Sequence, residues 1–219
     1  MKRGVLMRYF KFIVVFVIGT VLPVTGFAEN DASMKEDNHH IRKWNAFAND
    51  ALKLQQELVK NEPCDVKRSV GGYAGNKDFY VQEQYISKRT GKLVCQLQWE
   101  KANPDVLHSI EVYVHDDEGR VIRDYTAAYL PGYNNAPVQT LVSFHQYSGK
   151  LHGFRSFDAS GDLTLERCEG EYKGKAFEFL MDEDDLYAAY MNGNPIEEKV
   201  YSHCVGNLTD NPGKYLKPQ

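Results

Sequence analysis

Two histidines seven residues apart, His145 and His152, flank Ser148-Gly149 inside the alternating run from Thr140 to Phe157. A two-residue hairpin turn at Ser148-Gly149 places Tyr147 opposite Lys150, Gln146 opposite Leu151 and His145 directly opposite His152, on the face that carries Ser143, Tyr147 and Phe154. Directly paired Cβ atoms stand ~4.5 to 5.5 Å apart. Two imidazoles at that spacing could share a zinc or copper ion, with a third donor such as His108 or His115. The plainer alternative is a half-buried pair serving as stacking surface. In either case one protonated ring opposes protonation of the other, so at least one of the two should titrate low.

Other combinations carry less. A nucleophilic Ser143 needs a base within hydrogen-bond reach, an orienting acid and an oxyanion hole. Residues two apart on one strand are ~6.5 to 7 Å apart, and no Gly-x-Ser-x-Gly turn occurs. Asp158, Ser160, Asp162, Thr164, Glu166 and Glu169 fall at the oxygen-ligand positions of a calcium loop, but Leu163 stands where that loop needs glycine. A turn leading into a strand is the simpler expectation. No phosphate-cradling glycine loop, His-Glu-x-x-His helix or Cys-x-x-Cys pair is present, which removes the commonest enzyme signatures.

Tyr125, Tyr129, Tyr133, Asn134 and Asn135 lie in or beside the segment Pro131 to Pro137. Tyrosine offers a flat apolar body with a polar tip, and loops set on a rigid sheet are usual binding positions. This loop is therefore the first expected binding surface.

The first 28 residues form a basic stretch to Lys11, an apolar run from Phe12 to Val24 and a small-residue exit at Gly26-Phe27-Ala28. That is the layout of a secretory signal peptide. The run is shorter than the ~20 apolar residues that span a bilayer, so residues 1–28 are expected to be removed, leaving no stable membrane anchor and a periplasmic or secreted product. The remaining 191 residues carry 22 basic and 30 acidic side chains, a net charge of −8. Such an acidic balance argues against a nucleic-acid partner, which would demand clustered Lys and Arg. The four cysteines, Cys64, Cys95, Cys168 and Cys204, all follow the leader. An oxidising compartment turns four thiols into two disulfides by one of three pairings, and spacing favours Cys64 with Cys95 and Cys168 with Cys204.

The elements that must position these groups read as α+β, mainly antiparallel β. Ile41, Trp44, Ala48, Ala51, Leu52, Gln55 and Leu58 recur at three- and four-residue steps, which predicts a helix over about 41–60 stopped by Pro63. From Asp78 the period becomes two. Phe79, Val81, Tyr85, Cys95, Leu97 and Trp99 alternate with glutamines around Lys88 to Lys92. If Lys88 faces Lys92, then Tyr85 faces Cys95, Val81 faces Trp99, Gln84 faces Gln96 and Gln82 faces Gln98. A second hairpin turns on Asp116 to Gly119, and further short strands run to Leu180, about eight strands over 78–180. Asp182 to Met191 reads as a short C-terminal helix capped by Asp182.

The Asp-x-x-Gly turns at Asp116 to Gly119 and Asp158 to Gly161 resemble the hairpin grammar of tyrosine- and glycine-rich β-repeat families of bacterial surfaces, a likeness that implies hairpins and no particular ligand. The whole predicts one β-rich domain over 29–219, a helix laid on a bent meander sheet or partial barrel. The function expected of it is that of a non-catalytic module, without cofactor, that binds a protein or envelope component. A zinc- or copper-dependent protein or hydrolase built on His145 and His152 is the alternative.

Overall fold

A computed structural model of the chain describes residues 39–129, 136–182 and 195–219. The leader, Tyr133, Asn134, Asn135 and nearly all of the helix expected over 182–191 lie outside them.

Helix α1, His39–Asn61, covers the predicted span. It buries Ile41, Phe47, Ala48, Ala51 and Gln55. Phe47, which the apolar stripe left out, is its most buried aromatic, whereas Trp44 is only half-buried. The chain then forms nine strands: β1 Cys64–Tyr73, β2 Asn76–Ser87, β3 Leu93–Glu100, β4 Asn103–His115, β5 Val121–Ala128, β6 Gln139–Ser148, β7 Lys150–Asp158, β8 Leu163–Tyr172 and β9 Lys175–Asp182. They make one open antiparallel sheet whose spatial order is the order of the chain. A second helix, α2, spans Pro195–Val205, and a 3-10 turn Gly213–Leu216 follows it.

The β2–β3 register pairs Tyr85 with Cys95, Val81 with Trp99, Gln84 with Gln96 and Gln82 with Gln98, as the alternation predicts. A bulge past Tyr85 then sets Ile86 against Leu93, so Lys88 does not face Lys92. The β6–β7 hairpin corrects the expected register. Ser148 pairs with Leu151, Tyr147 with His152 and His145 with Phe154, two residues away from the register a Ser148-Gly149 turn gives. The cause is Gly149, whose φ of +61° belongs at the first position of a two-residue loop, so the loop is Gly149-Lys150. A displacement of two leaves every side chain on its expected face.

Alternation gives the sheet two unlike faces. One presents Cys95, Leu97, Ile110, Val112, Tyr125, Ala127, Val142, Phe144 and Phe157, which pack with Phe47, Ala48 and Ala51 of α1 into the main core. Leu208, Tyr215 and Leu216 of the C-terminal segment pack against the same cluster. Helix α2 joins that face farther along, where Val200, Cys204 and Val205 meet Leu151 and Cys168. Cys168 and Cys204 form a disulfide. Beside it Arg155 and Glu166, 6% and 0% exposed, form an ion pair. Tyr201 of α2 donates to Glu166 Oε2 at 2.6 Å, and Arg155 Nη1 also reaches the Thr209 carbonyl at 3.0 Å and the Asp210 carboxylate. The C-terminal segment is thus fixed by one covalent bond and one buried charge cluster.

Two expectations are overturned here. Cys64 and Cys95 are free thiols. Cys95 faces Tyr85 across β2–β3, while Cys64 sits on β1 with β2 between them. Two inter-strand spacings amount to ~9.5 Å, beyond the ~7 Å limit for a disulfide. Burial pushes the Cys95 thiol up to about 12, and it lies in hydrogen-bonding contact with Gln55 of α1. Tyr125 is 0% exposed, with its ring edge-on to Phe47 at 6.0 Å, so it is a core residue and not part of a binding loop.

The two Asp-x-x-Gly turns share one bonding scheme. Asp116 Oδ1 accepts from the backbone N–H of Glu118 and Arg120, and Asp158 Oδ1 accepts from those of Ser160 and Asp162. Gly119 and Gly161 both have positive φ. The Asp158 carboxylate therefore closes a turn before β8, as the simpler reading of that segment expects.

Candidate functional site

The second sheet face carries none of the described helices. It is polar, because the residues that alternate with the core positions are glutamines, acids, histidines and tyrosines. On β2 and β3, Gln98 donates to Gln82 at 3.1 Å, and Gln82 and Gln84 each donate to Gln96 Oε1 at 2.9 Å. Gln96 donates in turn to Glu111 Oε1 on β4 at 3.4 Å, and the Tyr113 hydroxyl donates to the other oxygen of Glu111. Burial, with Glu111 next and Asp124 after it, raises the Tyr113 phenol well above its ordinary range. Every amide in this ladder directs a proton toward Glu111, so these side chains hold one another in place.

Tyr113 pairs with Asp124, and Asp124 with Ser143, which continues the row onto β5 and β6. Ser143 and Ser156, 6% and 1% exposed, share a hydrogen bond of 2.8 Å. That bond and their burial leave Ser143 no nucleophilic role.

Next to them His145 Nε2 stands 2.6 Å from Asp124 Oδ2, and His145 Nδ1 stands 2.9 Å from His152 Nε2. The two rings are 10° from parallel with centroids 5.2 Å apart. That separation exceeds the N···N distance by about two ring radii of ~1.15 Å, the value for five-membered rings with bonds near 1.35 Å. The histidines therefore meet nitrogen to nitrogen, nearly in one plane, not face on face. Tyr147 lies parallel to His152 at 4.7 Å, and the Arg120 guanidinium sits 5.1 Å from the Tyr147 ring.

A carboxylate only accepts, so His145 Nε2 carries the proton of the His145–Asp124 bond. Across the histidine pair one ring donates to the other, and the tautomer sets which. Burial first, and then the neighbouring His145, lower the pKa of the His152 ring against the opposing pull of Glu169. Its Nδ1 faces Glu169 Oε1 at 3.7 Å, while Arg167 holds the other oxygen of Glu169 at 2.6 Å and reaches Glu178 at 3.1 Å. The order is thus Asp124, His145, His152, Glu169, Arg167, Glu178, across β5 to β9.

The two histidines expected to meet do meet, but as donor and acceptor to each other. Both nitrogens of His145 are occupied. The third donors proposed from sequence lie elsewhere. His108 is 7% exposed among Tyr73, Phe79 and Tyr80, whose rings stand 5.3 to 5.9 Å from its own, and it bonds the Tyr73 hydroxyl. His115 pairs with Val121 at the far end of β4. Among the described residues no three or more His, Cys, Asp or Glu side chains are arranged to hold a metal ion. Tyr129 is half-buried against the main core and joined to His108 by a backbone bond.

Asp124, Glu111 and Arg167 escape a reading of the sequence, and Glu169 enters it only as a position of the calcium template, not as a neighbour of His152. Asp124 precedes His145 by 21 residues, and only the strand order places them together. The available signal is that Asp124 alternates with the buried Tyr125, but no spacing rule links it to a histidine on the next strand.

Comparison with known protein families, with curated proteins and with solved structures finds no match to this chain. What defines it is its own architecture: an open nine-stranded antiparallel meander with helices on one face and a hydrogen-bonded polar belt on the other.

Proposed function

We propose that this protein is an exported, disulfide-stabilised module that works by binding a protein or envelope component through the polar belt. Export rests on the basic, apolar and small-residue order of the first 28 residues and agrees with the Cys168–Cys204 disulfide. No helix among the described residues is long and apolar enough to cross a membrane.

The observation that carries the binding reading is the unequal treatment of the two faces. Both described helices and the C-terminal segment pack on one. The other holds Gln82, Gln84, Gln96, Glu111, Tyr113, Asp124, His145 and His152 in fixed mutual hydrogen bonds. Side chains already fixed lose little rotamer freedom on binding, which removes one of the costs of forming an interface. The unused second N–H of each glutamine amide remains to recognise a partner.

The test is recovery of partners from envelope extract on the immobilised tag-free protein. Asp124→Asn and Gln96→Leu are expected to lose the bound component while keeping the wild-type fold by circular dichroism. Equal recovery by both variants defeats the assignment of the belt.

A further inference from the structure

Strands β1 and β9 form the two ends of the open sheet, and among the described residues no strand pairs with the outer side of either. Helix α1 packs chiefly over β4 to β6 and α2 over β6 to β8, so neither helix is centred on an edge strand. The outer backbone groups of each edge have a definite phase. Lys88 N–H donates to the Pro63 carbonyl at 2.8 Å, one step before the Cys64–Ser87 pair. Asp65, Lys67 and Ser69 therefore bond β2, while Val66, Arg68 and Val70 turn their N–H and C=O groups outward. At the other edge Lys173 and Gly174, with φ of +51° and +78°, make a two-residue turn flanked by the Tyr172–Lys175 pair. Lys175, Phe177 and Phe179 bond β8, and Ala176, Glu178 and Leu180 face outward.

We propose that β9 of a second copy of this chain adds to β1 as an antiparallel strand, so that the sheet continues from copy to copy. The two outward sets must meet as hydrogen-bonded pairs, and one register matches their side chains. Val66 then faces Leu180, Arg68 faces Glu178 and Val70 faces Ala176 of the next copy. Val66, Val70 and Leu180 are otherwise left exposed. A shift of two residues either way sets Val66 or Val70 against Glu178 and Arg68 against an apolar side chain. Charge agrees with this register. Strand β1 carries Lys67 and Arg68 against Asp65, and β9 carries Glu178 and Asp182 against Lys175, so the edges have opposite net sign. Arg68 Nε bonds Glu83 at 2.9 Å and Arg167 reaches Glu178 at 3.1 Å, so the row across the seam, Glu83, Arg68, Glu178, Arg167, alternates in sign. Basic side chains ordinarily protect an edge strand from pairing, but here they have an acidic counterpart. A twofold β1–β1 contact with Val66 on Val70 sets Arg68 against itself.

The faces fix the orientation. Val66 faces Tyr85, which faces the core residue Cys95, so Val66, Arg68 and Val70 lie on the helix-bearing side. Glu178 and Leu180 alternate with Phe179, which faces Cys168, and lie on the belt side. Directly opposed side chains point the same way, so the next copy is turned over about the axis that runs across the strands. That half-turn also reverses strand direction, which gives the antiparallel pairing. Such a head-to-tail contact that does not close yields filaments. The inference is independent of the partner read for the belt.

Sedimentation equilibrium of the tag-free protein tests it. Weight-average mass is expected to rise with concentration past the dimer. Arg68→Glu and Glu178→Arg, at side chains 71% and 66% exposed, are each expected to hold the protein monomeric with unchanged circular dichroism. An equimolar mixture of the two is expected to associate again, because every seam in it joins unlike charges. Val66→Cys with Leu180→Cys in one chain is expected to give a disulfide-linked ladder on oxidation, since hydrogen-bonded pairs stand ~5.5 Å apart at Cα. Val66→Cys with Ala176→Cys is not. The proposal is overturned if the wild type stays monomeric at about 1 mM, or if its mass stops at the dimer, as a β1–β1 contact gives. It is equally overturned if the mixed variants stay monomeric or the two cysteine pairs behave alike.

Discussion

Gly153 lies so close beneath Cys204 that a Cβ placed on it would stand 2.2 Å from the Cys204 carbonyl oxygen and 3.1 Å from its sulfur. Helix α2 sits directly on the β7 backbone at this point, and only glycine permits the approach. Gly153→Ala must lift α2 or bend β7. The expected loss is ~1 to 3 kcal/mol, the usual cost of overpacking, read as a lower midpoint in urea unfolding. A wild-type midpoint would show that the helix is not seated there.

The thiols divide two and two. Without reductant, the unfolded protein is expected to react with two equivalents of thiol reagent, at Cys64 and Cys95, and after reduction with four. Native protein should protect Cys95, whose thiol is buried and pushed up to about 12. Mass mapping that finds Cys64 joined to Cys95 would contradict the strand order of β1, β2 and β3. Loss of the Cys168–Cys204 bridge, which closes a 36-residue separation, should cost up to ~4 kcal/mol by the chain-entropy argument.

Arg155 and Glu166 form a buried pair, and the two directions of mutation should differ. Glu166→Gln leaves the guanidinium with only the solvent-exposed Asp210 carboxylate as charge partner, and Arg155→Met strands the buried carboxylate. Each is expected to destabilise by ~3 to 5 kcal/mol, whereas Arg155→Met with Glu166→Leu should recover much of that. Additive losses in this double-mutant cycle would remove the pair from the account of how the C-terminal segment is held.

Acid should weaken the fold partly through His108. Burial lowers its pKa from the ordinary 6.5, with Glu100 opposing. The folded state therefore keeps the ring neutral where the unfolded chain takes up a proton, and stability falls as pH drops below about 6.5. His115 has the same sign, with burial again first among its causes. Urea midpoints at pH 7.5 and 5.5 should fall for the wild type and fall less for His108→Gln. A midpoint that rises toward pH 5.5 would reverse the sign.

Much of this architecture is legible in the sequence, and the exceptions have physical causes. Four glutamines alternating with Val81, Tyr85, Cys95 and Trp99 reveal the β2–β3 register because one face is apolar and the other is not. Strand β1 escapes notice because it is an edge. Its Val66 and Val70 are 52% and 50% exposed, so no buried face imprints a period on it. Helix α2 is missed as well, although Pro195 at its first position is a known start signal. The β6–β7 turn is misplaced by one residue, and the register by two, because a Ser-Gly pair reads as the loop until the positive φ of glycine is assigned to the loop's first position. Glu166 reads as one of six oxygen donors along a calcium template, and its true partner, Arg155, lies across a strand pair. At the belt the histidine pair is foreseeable, whereas Asp124 and Glu169 come from strands on either side and depend on tertiary order alone.

The claim that the polar face is the working surface is tested most directly by photocrosslinking in living cells. A photoreactive amino acid is placed in turn at Gln98 and Tyr113 on the belt and at Asn49 on the exposed side of α1, and adducts are identified by mass spectrometry. The account predicts the same envelope adduct from Gln98 and Tyr113 and none from Asn49. Adducts confined to Asn49, with both belt positions silent, would contradict it.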